Sequence, residues 1–256
     1  MKLLTAAQLR AVRWYIGDVD GNDPFWGDPK AYVTLNSLFF PGMETEQARV
    51  REGKCLNPAI LADETRLRNA LQDLVGAFRP LSAPLATCRI ERYSDFERMR
   101  ECGHTLSFTS TSTAGFLPAY QDRNGIALMR FTLPAGVPCL PMAQALPHYA
   151  KADEAEVLLP PGMRLTLTEL PLSPEETQII DAQGEPPQIS VLAEPAGFVC
   201  PGTPAYMPLS GTGVRVLTAL NAGKAPEEND RLCYQQWKQT LVAWVGQILH
   251  ATCQNK

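Results

Sequence analysis

Three short stretches of this chain carry residue types suited to chemistry, and they come in the order guanidinium, hydroxyls, carboxylates. Arg89 sits centrally in ATCRIERYSDF, which reads as a strand. A guanidinium keeps its charge at any working pH and can grip a phosphate through two parallel N–H bonds, so Arg89 is a candidate anion clamp. Taken alone, such an arginine would more often make a surface ion pair. The second stretch is Phe108-Thr109-Ser110-Thr111-Ser112 at the end of a short strand. Strand alternation sends Ser110 and Ser112 to one side, where small hydroxyls both donate and accept without blocking a cleft. The same residues also suit an ordinary turn that bonds its own backbone. The third is Glu154-Ala155-Glu156-Val157-Leu158-Leu159-Pro160-Pro161. If Glu156 opens a strand, the two-residue period places both carboxylates on one face, roughly 6–7 Å apart along the chain, with Val157 and Leu159 facing the core. Acids so placed can divide labour, one staying ionised beside a developing positive charge and the other handling a proton. The alternative is a solvated strand edge bearing two acids.

The elements that would position these residues follow from hydrophobic periodicity. Leu9, Val12 and Ile16 recur at helical spacing, and Thr5 is placed to cap that helix. Further helices are expected over residues 31–40 and 63–78, the latter from Leu67, Leu71, Leu74 and Val75. Beyond Pro84 the pattern turns to short β-favouring runs at 87–90, 106–108, 126–133, 156–159, 164–167 and 189–192, punctuated by proline and glycine. Residues 194–226 are dense in Pro and Gly and read as irregular. Leu232, Trp237, Leu241, Trp244, Val245 and Ile248 restore a helical pattern in the tail. The expected fold class is α+β: a helical lobe over 1–80 and a two-sheet β core over 85–192, together one domain of 1–192, with residues 193–256 as a C-terminal helical appendage.

Composition narrows the function classes. A net charge of −4 argues against a nucleic-acid binder that works by covering phosphates with basic side chains. The longest apolar runs fall far short of the ~20 residues that cross a bilayer, so no membrane span is expected. MKLLTAAQLRAVRW breaks at Gln8 and Arg10 before a signal-type apolar stretch develops. Seven dispersed cysteines without a CxxC pair suit reduced thiols, and three scattered histidines give no metal-ligand spacing, so no metal is expected.

The order Arg, then aromatic-x-Ser-Thr-Ser, then Glu-x-Glu leading into an apolar strand and Pro-Pro resembles the R-S-E class of mono-ADP-ribosyltransferases. LTAAQLRAVRWYIG with AYVTLNSLFF resembles that family's N-terminal helical lobe, and LRNALQDLVGAFRPLSAPLATCR its helix leading into the Arg strand. IALMRFTLPAGVPCLPM resembles the strand and turn after its nicotinamide loop. The resemblance covers residues 4–192. Where the family often has an aromatic before the Arg and a Gly after it, this chain has Cys88 and Ile90; Arg92, three residues on, falls on the opposite side of a regular strand.

The resemblance implies cleavage of the nicotinamide–ribose bond of NAD, used as substrate without a metal, and transfer of ADP-ribose to a protein side chain. By that analogy Glu156 holds the ribose hydroxyl and stabilises the oxocarbenium-like charge, and Ser110 positions Glu156 and the ribose. Arg89 fixes the phosphates, with Thr111, Ser112 and Phe116 lining the dinucleotide, and Glu154 orients or deprotonates the nucleophile. Tyr149, in the loop before the acids, would read the protein substrate. Glu-x-Glu most often accompanies arginine as acceptor, while some secreted bacterial members with two acids modify hydroxyl residues of host proteins such as ubiquitin. A soluble bacterial protein, secreted without a cleaved signal peptide and acting in a host cytosol, fits these features. Three alternatives stay open: an NAD glycohydrolase, an inactive binding module docking through Leu241, Trp244, Val245 and Ile248, and a retaining glycosidase. The last would need its acids roughly 5–5.5 Å apart across a sugar cleft rather than side by side on one strand.

Overall fold

A computed structural model of the chain describes residues 3–18, 21–116, 125–146, 155–183, 188–199, 209 and 211–254. The first elements are α1 (Ala6–Ile16), α2 (Ala31–Ser37), α3 (Glu44–Arg51), α4 (Ala59–Ala62) and α5 (Glu64–Val75). Next come β1 (Arg79–Pro80), β2 (Leu85–Arg92), α6 (Tyr93–Cys102), β3 (Thr109–Ser112), β4 (Ile126–Leu133), β5 (Pro138–Pro141) and α7 (Met142–Ala145). The chain continues through β6 (Glu156–Leu159), β7 (Met163–Leu170), α8 (Pro174–Gln183), β8 (Gln188–Phe198), α9 (Thr212–Asn221) and α10 (Glu228–Gln254). Contacts divide it into two compact units, one of residues 1–77 and 200–250, the other of residues 78–199 and 251–256. The division differs from the expected boundary at 192: residues 188–198 form strand β8 of the second unit, and residues 200–250 belong with the N-terminal helices.

The first unit is helical. Thr5 caps α1 by accepting from the Gln8 backbone N–H, and the Gln8 side chain accepts from the Thr5 backbone in return. Gly17 ends the helix at φ 78, where a Cβ would stand 2.2 Å from the Pro29 carbonyl oxygen. The buried face is Ala11, Val12, Trp14 and Tyr15, whereas Leu9, expected in the apolar stripe, is 37% exposed. Trp14 donates its indole N–H to the Phe25 carbonyl at 2.7 Å and stacks on the Phe25 ring, so two large aromatics outweigh one leucine in setting the helix's rotation. Asp63 caps α5, which buries Leu67, Ala70, Leu71, Leu74 and Val75. On α10 the buried positions include Tyr234, Trp237, Lys238, Leu241, Val245 and Leu249, a stripe at helical spacing. Leu241 and Val245 are fully buried, and Leu232 is 45% exposed.

The second unit is built on an eight-stranded sheet in the order β1-β5-β6-β3-β2-β4-β8-β7. β2 and β4 pair along their whole length, from Leu85↔Leu133 to Arg92↔Ile126. β4 and β8 are parallel, and β7 completes that edge. On the other side β3 pairs with β6 over four residues. Between the halves, β2 and β3 share a single bridge, Cys88↔Ser112. The expected two sheets are therefore two four-stranded halves of one sheet, pinched at one residue pair. Leu106 and Phe108, read from sequence as strand, instead precede β3 and are buried as a packed loop, with Phe108 stacked on Phe78. Their burial is a matter of packing, and the ladder starts at Thr109. No helix among the described residues is long and apolar enough to cross a membrane.

Candidate functional site

The ladder registers place four residues in one transverse row: Arg130 on β4, Cys88 on β2, Ser112 on β3 and Glu156 on β6. Residues opposite one another in a ladder project from the same face, with strands about 4.8 Å apart, so the row spans roughly 14 Å. Ser110, two residues from Ser112 and paired with Leu158, projects from that face as the diagonal neighbour of Glu156. The hydroxyl run and the second acid of Glu-x-Glu thus meet on one face. Ser112, rather than Ser110, stands directly opposite Glu156. Its Oγ accepts from the Ala114 backbone N–H at 2.9 Å and so turns the chain out of β3, while Thr111 points the other way and gives its hydroxyl to the Val157 carbonyl.

Arg89 sits at the pinch. Past the Cys88↔Ser112 bridge the strands part, and the Ser110 carbonyl, which a continued ladder would have occupied, accepts from Arg89 Nη1 at 2.8 Å. The Arg89 Nε pairs with Glu91 at 2.6 Å, and the Glu91 side chain is 10% exposed against 29% for Arg89. A largely desolvated carboxylate two residues along the same strand therefore fixes the guanidinium. Glu91 is a site residue the sequence reading missed, and its signal was the i, i+2 spacing from Arg89 on a strand.

The turn into β6 departs from the expected alternation. Ala155 has φ 46, in the left-handed region that non-glycine residues rarely enter, and its carbonyl accepts from both the backbone N–H and the hydroxyl of Thr113. Regular strand therefore begins at Glu156, and two-residue alternation does not carry back through Ala155 to fix Glu154 on the same face. Backbone held in such a conformation at the edge of a polar site is a common place for stored strain. Glu154 and Tyr149 lie outside the described residues.

A second polar cluster shares the face. Arg130 donates from Nε to Glu176 Oε1 at 2.9 Å, and the Ser190 hydroxyl donates to the same oxygen at 2.8 Å. Glu176 also forms a reciprocal cap with Ser173 at the start of α8: its Oε2 accepts from the Ser173 N–H, and its own N–H donates to the Ser173 Oγ. Burial alone would push the Glu176 carboxyl up, but the hydrogen bonds from Ser173, Ser190 and Arg130 outweigh it and hold the group below the usual carboxylate range. Burial pushes the Cys88 thiol up, an effect that Arg130 opposes and Glu176 and Glu175 reinforce. Phe116, expected to line the dinucleotide, packs against the cluster of Ile90, Ile126 and Leu128. The Arg130 guanidinium lies 5.2 Å from the Phe116 ring centroid. Sequence reasoning missed Arg130 and Glu176, because partners 46 residues apart on a strand and a helix leave no local spacing to read.

Among the described residues no cluster of His, Cys, Asp and Glu has the makings of a metal site. A hollow of about 300 Å³ lies elsewhere on the sheet unit, lined by residues such as Val137, Pro138, Met163 and Phe198, and includes none of these groups.

No family model and no curated protein matches the chain. Several solved structures are similar in fold. The enzymatic component C2-I of the C2-toxin from Clostridium botulinum is 15% identical, with 75% of this chain and 43% of that chain covered and a TM-score of 0.43. This chain thus spans less than half the length of that protein. The catalytic domain of VahC from Aeromonas hydrophila is 15% identical over 75% of this chain and 99% of its own, TM-score 0.43. C3larvin toxin, an ADP-ribosyltransferase from Paenibacillus larvae, is 14% identical over 75% and 95%, TM-score 0.41.

Proposed function

We propose that the chain is an NAD-dependent mono-ADP-ribosyltransferase that passes ADP-ribose to a protein side chain, arginine first among acceptors. The observation that carries the reading is the register of β2, β3 and β6. It gathers Ser110, Ser112 and Glu156 on one face and sets Arg89, hydrogen-bonded to the Ser110 carbonyl, at the pinch beside them. Arg89, Thr111, Ser112 and Phe116 are the residues assigned to NAD, Glu156 and Ser110 to the reacting ribose, Glu154 to the nucleophile and Tyr149 to the protein substrate.

The chemistry suits these groups. Nicotinamide begins as a pyridinium cation and leaves with the electron pair of the C–N bond, neutral and in no need of a general acid. The positive charge passes to the ribose C1′ and O4′, where the Glu156 carboxylate stabilises it more than it stabilised the ground state. The acceptor nitrogen then bonds to C1′, and its proton goes to Glu154. Ser112, opposite Glu156, holds the edge of β6 in register, and Thr113 anchors the Ala155 carbonyl just before it. Action in a host cytosol, after secretion from a bacterium, belongs to the same reading.

The test is incubation with isotopically labelled NAD and a cell lysate, followed by mass spectrometry of the labelled protein. Label on arginine supports the full reading. Label on serine or threonine keeps the reaction and changes the acceptor, and nicotinamide release without protein label makes the chain a glycohydrolase. Neither release nor label refutes the proposal.

A further inference from the structure

Arg130 shares a row with Cys88, Ser112 and Glu156, yet no role in the proposed reaction falls to it. Its side chain is 40% exposed, while its partner Glu176 is 3% exposed. The contact between them uses Nε, the side-on nitrogen. The two terminal nitrogens make no hydrogen bond within the described residues, and the guanidinium carbon lies over the Phe116 ring. Glu176 in turn is held by three hydrogen bonds, two in the reciprocal cap with Ser173 before α8 and one from Ser190 on β8. A buried carboxylate that grips an arginine through Nε leaves the Nη edge aimed outward in a fixed orientation, the preorganised form of a bidentate anion contact. Arg89 is placed otherwise, with both Nε and Nη1 engaged.

The geometry points to Arg130 as a second cationic contact for the dinucleotide, binding a phosphate oxygen through its Nη edge, with Glu176 as the residue that positions it. This inference rests on the reading that the face binds NAD. The two arginines then have different duties. Arg89 braces the pinch next to the reacting ribose, and Arg130, two strand spacings from Ser112 and three from Glu156, takes the charge further along the ligand.

The test compares the wild-type protein with Arg130→Gln and Arg130→Lys in steady-state nicotinamide release. Calorimetry adds ADP-ribose and nicotinamide riboside as probes with and without the pyrophosphate. Loss of one charge-assisted contact is expected to raise the KM for NAD and the Kd for ADP-ribose about tenfold in Arg130→Gln. The kcat and the affinity for nicotinamide riboside stay unchanged. Arg130→Lys keeps the charge but not the two-pronged edge and falls between. Wild-type ADP-ribose binding also loses more affinity on adding salt than the Gln variant does. If both variants cleave NAD with the wild-type KM and differ only in melting temperature, Arg130 is a structural ion pair and the inference falls while the proposed function stands. If the wild-type protein neither binds ADP-ribose nor releases nicotinamide, the proposed function falls and this inference with it.

Discussion

Replacing Lys238 by Met tests the energetics of the helical unit. Lys238 on α10 pairs with Glu46 on α3, and the two side chains are 3% and 0% exposed. Lys238 also donates to the Gly42 carbonyl at 2.8 Å, and the Tyr234 hydroxyl donates to Glu46 Oε1 at 3.1 Å. Glu46 Oε2 has no hydrogen-bond partner among the described residues, so the attraction holding this carboxylate in the interior runs through one oxygen. Methionine matches the aliphatic stem of lysine and removes the charge, leaving Glu46 buried with only the Tyr234 hydroxyl. Breaking a buried pair from one side costs about 3–5 kcal/mol. At about 2–4 °C per kcal/mol for a chain of this size, the melting temperature drops by about 10 °C. Removing both charges, with Glu46→Leu and Lys238→Met together, strands neither group and restores most of the loss. Urea unfolding followed by circular dichroism gives the free energies of all four proteins in the cycle. A single variant within about 1 kcal/mol of wild type, or a double variant as unstable as the sum of the singles, would refute the reasoning.

Three more outcomes are expected from the site and its surroundings. Glu154→Ala suppresses label transfer to protein while nicotinamide release persists, and a variant that loses both activities together would remove the division of labour between the acids. Arg89→Lys keeps the charge but cannot bond Glu91 and the Ser110 carbonyl from two nitrogens at once, so NAD affinity falls by about tenfold; calorimetry showing wild-type affinity would move the clamp elsewhere. In acid, both Asp23 and Glu176 contribute stability that is present above their unfolded pKa values and lost as pH falls through the folded ones. For Asp23, lowered from 3.8 to about 2 chiefly by the Trp26 backbone N–H and by Arg66, that window lies between those values. The Glu176→Gln variant is therefore less stable than wild type at neutral pH, and the gap narrows toward acid; an equal gap at all pH values in chemical denaturation would contradict the assignment.

The sequence exposed those parts of the fold that local periodicity determines. The run 126–133 is strand β4 and 156–159 is β6, because β-branched and aliphatic residues bounded by Gly and Pro have few other uses. The cap at Thr5 is present as read. Helix α6 was hidden because YSDFERMREC buries only Phe96 and Met99, too few points for a period. The run 189–192 reads as strand, but the later half of β8 was hidden because AEPAGF carries the Pro and Gly of a loop, yet its pairing with β7 continues there. The serines and Glu156 were legible through their types and order. Their grouping on one face depends on register, which no single stretch encodes. Glu91, Arg130 and Glu176 became visible only once the strands were laid side by side.

The most direct measurement of the central claim is nicotinamide release from NAD by the wild-type protein and by Glu156→Gln, purified side by side and matched in melting temperature. A carboxylate that stabilises the cationic ribose predicts steady release by the wild type and a rate at background for the variant. Equal release by both proteins, or none by the wild type, would contradict it.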